Sequence, residues 1–185
     1  MPNWCANSLK LVAKTAEQRN DLVFIRENYT KEWFGLFDYF VPCPEDLKTS
    51  KKGFPADPNE ATNVQKYGYA TWYDFNIANW GTKWDACEIS IEDFDDDSLT
   101  ITFDTAWCPP EQFYCDMTDN DWELTASFIE AGCDFIGYYK RGECTSEPYN
   151  DGSFPEDSSF EDDINRFESY FNSVGIDHYP AHTGG

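Results

Sequence analysis

The 185-residue chain carries 35 acidic against 13 basic side chains, a formal charge of -22, so it lacks the Lys and Arg excess that direct contact with DNA, RNA or an anionic membrane requires. Fifteen Phe, eleven Tyr and seven Trp, 18% of the residues, exclude an acidic disordered chain and imply a folded core beneath a negative surface. The length suits one well-buried domain with additions or two small domains, and no stretch approaches the roughly 20 apolar residues that span a bilayer.

Residues 5–13 read as a strand, with Leu9 and Leu11 alternating with Lys10. Thr15 and Gln18 form a capping-box pair, which predicts a helix over 16–28 with Leu22, Val23, Ile25 and Tyr29 as its buried stripe. Residues 30–60 break this pattern. The aromatic cluster Trp33, Phe34, Phe37, Tyr39 and Phe40 precedes Pro42 and Pro44, and Lys48, Lys51, Lys52 and Gly53 suggest a solvated turn. A further helix is expected around 71–78, carrying Trp72, Tyr73, Phe75 and Ile77.

Residues 87–92 and 98–104 alternate with period two and predict an antiparallel pair with one exposed polar face, joined by Asp93-Phe94-Asp95-Asp96-Asp97. Pro109 and Pro110 precede a short helix over 110–117, because a proline in the first turn removes no helical hydrogen bond. Trp122–Ile129 reads as a strand and 134–140 as its hairpin partner. Residues 143–159 look like a loop, Ser159 caps an acidic amphipathic helix over 160–172 with Ile164, Phe167 and Phe171 as its stripe, and 180–185 is expected to fray. The order predicts an α+β fold, a ferredoxin-like split βαβ core over 1–143. In this reading, residues 29–86 form a long aromatic-rich insertion, and 144–185 form an acidic extension with an accessory helix.

Seven cysteines, an odd number without a CxxC pair, fit reduced and mostly buried thiols in cytoplasm. Residues 1–13 lack the basic and apolar regions of a secretory signal.

Several blocks resemble the ferredoxin-like domain of Api92-like proteins from bacteriophages and conjugative plasmids. They are the opening Met1–Asn7, the proline pair in Phe40–Glu45, Asn79–Ala86, Thr105–Pro110 and the closing hairpin Gly132–Glu143. Cys108 stands where the resemblance leads one to expect Ser. The resemblance implies this fold and an origin in a mobile element, and hence the cytoplasm of a bacterial host cell. It implies no catalytic residues.

Residues 84–139 hold fifteen Asp or Glu and no Lys or Arg. Outward side chains on a strand stand about 6.6 Å apart, so carboxylates on neighbouring strands and turns can imitate the phosphate density of a nucleic acid. The expected acidic surface comprises Glu88, Glu92, Asp93, Asp95, Asp96, Asp97, Asp104, Glu111, Asp116, Asp119, Asp121 and Glu123, with Asp162 and Asp163 in the tail. Its expected partner is a host nucleic-acid-binding protein or defence complex, of restriction or CRISPR type, with a basic groove. A solvated face that only prevents aggregation is the plainer alternative.

A second constellation, Trp4, Trp80, Gly81, Lys83, Trp84 and Trp107, reads as a packed corner in which Gly81 turns the chain and Lys83 pairs with Asp85; a ligand pocket is the competing reading. Glu88, Glu92 and Asp104 could imitate a metal hydrolase site, but alternation spreads them over a surface and no Lys or His stands beside them. His178 and His182 lie near the expected frayed end, and no nucleophile-elbow, P-loop or dinucleotide motif occurs. The expectation is a non-enzymatic inhibitor without metal or cofactor. A structural or assembly module that binds through aromatic surface is its rival, followed by a carboxylate- and metal-dependent hydrolase.

Overall fold

The computed structural model describes residues 3–148 and 160–181, with side chains in the second segment from 165 onward. Its first strand, β1 (Trp4–Val12), is followed by α1 (Ala16–Asn28), which the Thr15–Gln18 capping box starts as the sequence predicts. The stretch expected to break the pattern instead folds into short helices: α2 (Leu36–Phe40) and α3 (Glu45–Lys48), then α4 (Glu60–Tyr67). Period analysis misses helices of four and five residues because they complete barely one turn. Next, α5 (Trp72–Asn79) begins from a second capping box, between Thr71 and Asp74.

The hairpin β2 (Cys87–Phe94) and β3 (Ser98–Ala106) pairs in the antiparallel sense, with two irregularities in β2. The chain continues through α6 (Glu111–Asp119), β4 (Glu123–Glu130), β5 (Phe135–Lys140), β6 (Glu143–Pro148) and α7 (Phe160–Ser173). The sheet order is β2-β3-β1-β4-β5-β6, every pair antiparallel, so β1 and β2 run the same way with β3 between them. Strand β6 corrects the expectation of a loop from 143. Its short polar sequence shows no apolar alternation, because five of its six residues are exposed at the sheet edge.

One face of the sheet carries the main core. Leu9, Leu11, Leu99, Ile101 and Phe103 meet Leu22 and Ile25 of α1, Phe37 of α2, and Phe113 and Tyr114 of α6. Burial of each such aliphatic or Phe side chain contributes about 1.5–3 kcal/mol before entropy is counted. Val23, expected in the α1 stripe, is exposed, and Phe24 is half-buried, stacking on Tyr39 at 4.8 Å. Within this face Asn7 is fully buried. Its Nδ2 donates to the Cys5 carbonyl at 2.8 Å and Thr105 Oγ1 at 2.9 Å, and its Oδ1 accepts from the Tyr114 hydroxyl at 3.3 Å.

The second face was expected to be open and polar; over β1, β4 and β5 it is covered. Ile129 and Ile136 pack under Phe167, Phe171 and Ile176. His178, expected near a frayed end, is buried against the face of the central strands, with Nδ1 2.9 Å from Ser8 Oγ and Nε2 2.8 Å from Thr125 Oγ1. The Ser127 hydroxyl donates to the His178 carbonyl at 2.9 Å. Lys10 pairs with Asp177 at 2.9 Å, and Lys140 donates to the carbonyls of Val174 and Gly175. Polar residues on this face thus bind a returning segment instead of water. Pro180 is buried too, and residues 182–185, including His182, lie outside the described residues, as does Ser159, the expected cap.

Candidate functional site

The strand register places two acidic turns at one end of the sheet. Val12, the last residue of β1, pairs with Ser98 on one side and Glu123 on the other. The β2–β3 turn and the α6–β4 turn therefore flank the exit of β1, about two strand spacings, or roughly 10 Å, apart. The Ala13 amide donates to the Asp97 carbonyl at 2.7 Å, and Gln18 Nε2 reaches the Asp121 carbonyl at 3.4 Å, tying both turns to the start of α1.

This end gathers Asp93, Asp95, Asp96, Asp97, Asp119, Asp121 and Glu123, all exposed. Their duties differ. The Asp95 carboxylate accepts from the amides of Asp97 and Ser98, at 2.8 and 2.7 Å, and from the Ser98 hydroxyl. These bonds hold its carboxyl below the usual carboxylate range, and they make Asp95 the brace of its turn. Asp97 pairs with Arg19 of α1. Lys14 and Arg19 interleave here, so the end is acidic without being uniformly so. Asp116, one turn back in α6, is half-buried, and its side chain accepts from Asn120 at 3.2 Å.

The other expected acidic residues do not join them. Glu92 accepts from Thr102 at 3.1 Å and, with Asp93, lines a shallow cleft of about 330 Å³ beside Lys10, Asp177 and His178. Glu88, at a positive φ of 50°, stands near the start of β2, Asp104 pairs across from Cys87 and Ala6, and Glu111 opens α6, all toward the opposite end. Asp162 and Asp163 fall in the first turn of α7, where side chains lie outside those described.

That opposite end belongs to tryptophan. Trp4, the first residue of β1, meets Trp84 with ring centroids 6.1 Å apart. Trp80 is 4% exposed, lies against Phe37 and Phe75, and donates its indole N–H to the Val41 carbonyl at 3.0 Å. Gly81 has φ +82°, and a Cβ there would come within 3.0 Å of the Gln112 amide nitrogen at the start of α6, so only glycine fits. Trp107, at φ +74°, is half exposed, and its amide donates to the Asn3 carbonyl.

Lys83 does not pair with Asp85 as expected. Its ammonium lies 4.2 Å over the Trp84 ring. The Asp85 carboxylate instead turns inward and accepts from the amides of Phe37, Asp38 and Ala86, at 2.9, 2.9 and 2.7 Å. Burial raises its carboxyl above the ordinary value against the pull of those three bonds. Gly35 makes this approach possible, since a Cβ would sit 2.4 Å from Asp85 Oδ2. Between these parts lies an open, shallow cleft of about 330 Å³, walled by Trp33, Phe34, Trp72, Trp80 and Trp84, with Asp38, Lys48, Asn76 and Asp85 among its polar lining. The sequence pointed to Trp80–Trp84 and to Asp85, but gave Asp85 the wrong partner and missed Gly35, Asp38 and Asn76. Asp85 caps a helix 48 positions away, a link with no local signature.

The seven cysteines are unbridged, and burial pushes the thiols of Cys5, Cys43, Cys87, Cys108 and Cys144 up, away from the reactive thiolate. Among the described residues no three His, Cys, Asp or Glu side chains converge as a metal site, and no helix is long and apolar enough to cross a membrane.

Residues 79–168 match the family model for the ferredoxin-like domain in Api92-like protein. An uncharacterized protein of Escherichia coli (strain K12), YubB, is 30% identical over 82 aligned positions, which take in 37% of this chain and 57% of that relative. The chain thus spans little more than half the length of that relative. A crystal structure of a protein api92 from Yersinia pseudotuberculosis aligns over 83% of this chain and 100% of its own, with 12% identity and a TM-score of 0.47. The segment matched by the family model begins at the tryptophan corner and takes in β2 through β6, so it contains both acidic turns.

Proposed function

We propose that this chain is a non-catalytic binding protein whose acidic sheet end enters the basic groove of a nucleic-acid-handling protein and excludes nucleic acid from it. The observation that carries this reading is the placement of two acidic turns on either side of the β1 exit. Carboxylates spread over about 10 Å lie about one Debye length apart at 0.1 M salt, so at that ionic strength or below they act on a partner as a joint field. The net charge of -22 opposes direct binding to nucleic acid and steers a basic partner inward. The described core serves as a rigid carrier. We read it as a split βαβ unit with residues 29–86 inserted, which holds the turns in fixed register.

The resemblance to phage and plasmid proteins suggests the partner class. DNA entering a bacterium meets restriction and CRISPR-type defences, whose channels are lined with Lys and Arg, and filling such a channel requires no chemistry. A second reading, an assembly module that binds through aromatic surface, draws on Trp33 and Trp107, which are 67% and 50% exposed.

Immobilised protein exposed to bacterial lysate, then eluted in parallel by salt and by duplex DNA, separates the two. The acidic-end reading predicts a nucleic-acid-binding protein released by both. A partner that stays bound at high salt and ignores DNA supports the aromatic module and defeats mimicry.

A further inference from the structure

The β5–β6 turn carries a residue that its geometry does not favour. Lys140 pairs with Glu143, so Arg141 and Gly142 form a two-residue hairpin loop, and both take left-handed backbone angles, φ +56° and +83°. Asn-Gly or Gly-Gly suits such a loop, whereas a long side chain at its first position bears a steric cost. Nor is that cost offset inside the fold. Among the described residues the Arg141 side chain makes no ion pair, hydrogen bond or ring contact, although the chain holds 35 carboxylates. Lys14, just past β1, is similar: its backbone amide donates to Gln18 Oε1 at 2.7 Å, and its ammonium pairs with no described carboxylate. Arg141, Lys14 and Lys140 line one cleft of about 390 Å³, with Trp122 and Leu124 as its apolar wall and Glu123 as the one carboxylate among its described lining. The carbonyls of Val174 and Gly175 fix the Lys140 ammonium but, being neutral, leave its charge uncompensated. The lining therefore holds three cations against one anion in a chain of net charge -22.

We propose that this cleft binds the phosphate group of a small phosphate monoester. The planar fork of arginine grips phosphate oxygens through paired N–H bonds, and lysine adds a point charge. Near pH 7 a phosphate monoester carries about -1.5 to -2, which matches the positive excess of the lining better than the single charge of a carboxylate. The volume lies at the small end of ligand sites, enough for a phosphate with a compact body against Trp122 and Leu124, and it excludes a nucleic-acid duplex. Asp121 and Glu143 stand next to lining residues in the chain and repel a loosely held anion. Binding therefore depends on direct contact with Arg141 and Lys14, not on the overall field. This inference does not rest on the acidic-end reading.

The test titrates the full ¹⁵N-labelled chain at about 0.15 M salt, where charges beyond roughly 8 Å are screened. The probes are adenosine monophosphate, inorganic phosphate and adenosine. Saturable shifts of the Arg141 and Gly142 amides are expected with both phosphates, joined by the Trp122 indole N–H with adenosine monophosphate, and none with adenosine. Arg141→Asn installs a residue that the turn prefers, so it is expected to keep or raise the melting temperature while weakening both phosphates about tenfold. Lys31→Gln removes an equal charge outside the cleft and should change affinity less than about twofold. Absence of a saturable shift with either phosphate overturns the proposal. So does adenosine binding as tightly as its monophosphate, or an Arg141→Asn affinity equal to that of the wild type. No partner is present in this experiment, so its failure leaves the acidic-end reading standing.

Discussion

The two ends of the sheet use charge in opposite ways. At the tryptophan end the Asp85 carboxylate is consumed inside the structure, with three backbone amides for partners and glycine making room for it. At the acidic end Asp93, Asp96, Asp119, Asp121 and Glu123 are exposed, and among the described residues there the carboxylates that brace a turn or tie it to α1 are those of Asp95 and Asp97. Asp85 at the first end is part of the fold, although Glu88 and Glu111 are exposed there, whereas most carboxylates clustered at the second serve no visible folding purpose. Repulsion among them weakens the compact state, so they are retained for the proposed partner or for solubility, the two readings the charge variants below separate.

Substitution at the two ends sharpens this contrast. Trp80→Ala removes a buried wall of the tryptophan corner and its bond to Val41, and is expected to cost about 3–5 kcal/mol in urea unfolding. A loss below about 1 kcal/mol would show that the corner is loosely packed and would undo its role as a scaffold.

A pH titration probes the layer joining the ends. Burial holds the His178 imidazole down to about 4, against an ordinary value near 6.5. The unfolded chain therefore binds the extra proton first as pH falls. Stability carried by neutral His178 is complete above about pH 6.5, declines between 6.5 and 4, and is lost below, for a total of about 3 kcal/mol. His178→Gln is expected to flatten that portion of the stability profile, and an unchanged slope would place the C-terminal segment off the sheet.

Asp85→Ala leaves three amides without their acceptor and is expected to cost about 1–3 kcal/mol. At the acidic end Asp95→Ala should lower the melting temperature measurably, because it unmakes the turn's internal bonds. Asp96→Ala should leave it unchanged or raise it slightly. If both substitutions at that end destabilise equally, its carboxylates are structural and the contrast fails.

Much of this frame was legible from residue order. The Thr15–Gln18 box sets the start of α1, and the alternations in 87–92 and 98–104 give the hairpin. Long amphipathic or alternating segments advertise their buried side because one neighbouring layer decides it. The second face was misread because Ser8, Thr125 and Ser127 look solvent-directed, yet they bind His178, which lies 51 to 170 positions away. The acidic candidates were identifiable by composition, but their division between two ends follows from the pairing of Val12 with both Ser98 and Glu123. The tryptophan-walled cleft depends on Gly35 and Asn76, ordinary residues that acquire meaning only when Asp85 and Lys83 are brought beside them.

The most direct test compares two triple variants of equal net charge against the partner released from lysate by salt. Asp96→Asn, Asp119→Asn and Glu123→Gln neutralise the acidic end, while Glu32→Gln, Glu88→Gln and Glu111→Gln remove the same charge elsewhere. Affinity measured at one fixed ionic strength is predicted to fall about tenfold or more for the first variant and less than about threefold for the second. Equal losses would mean that total charge alone governs binding, and would contradict an interaction site at the acidic end.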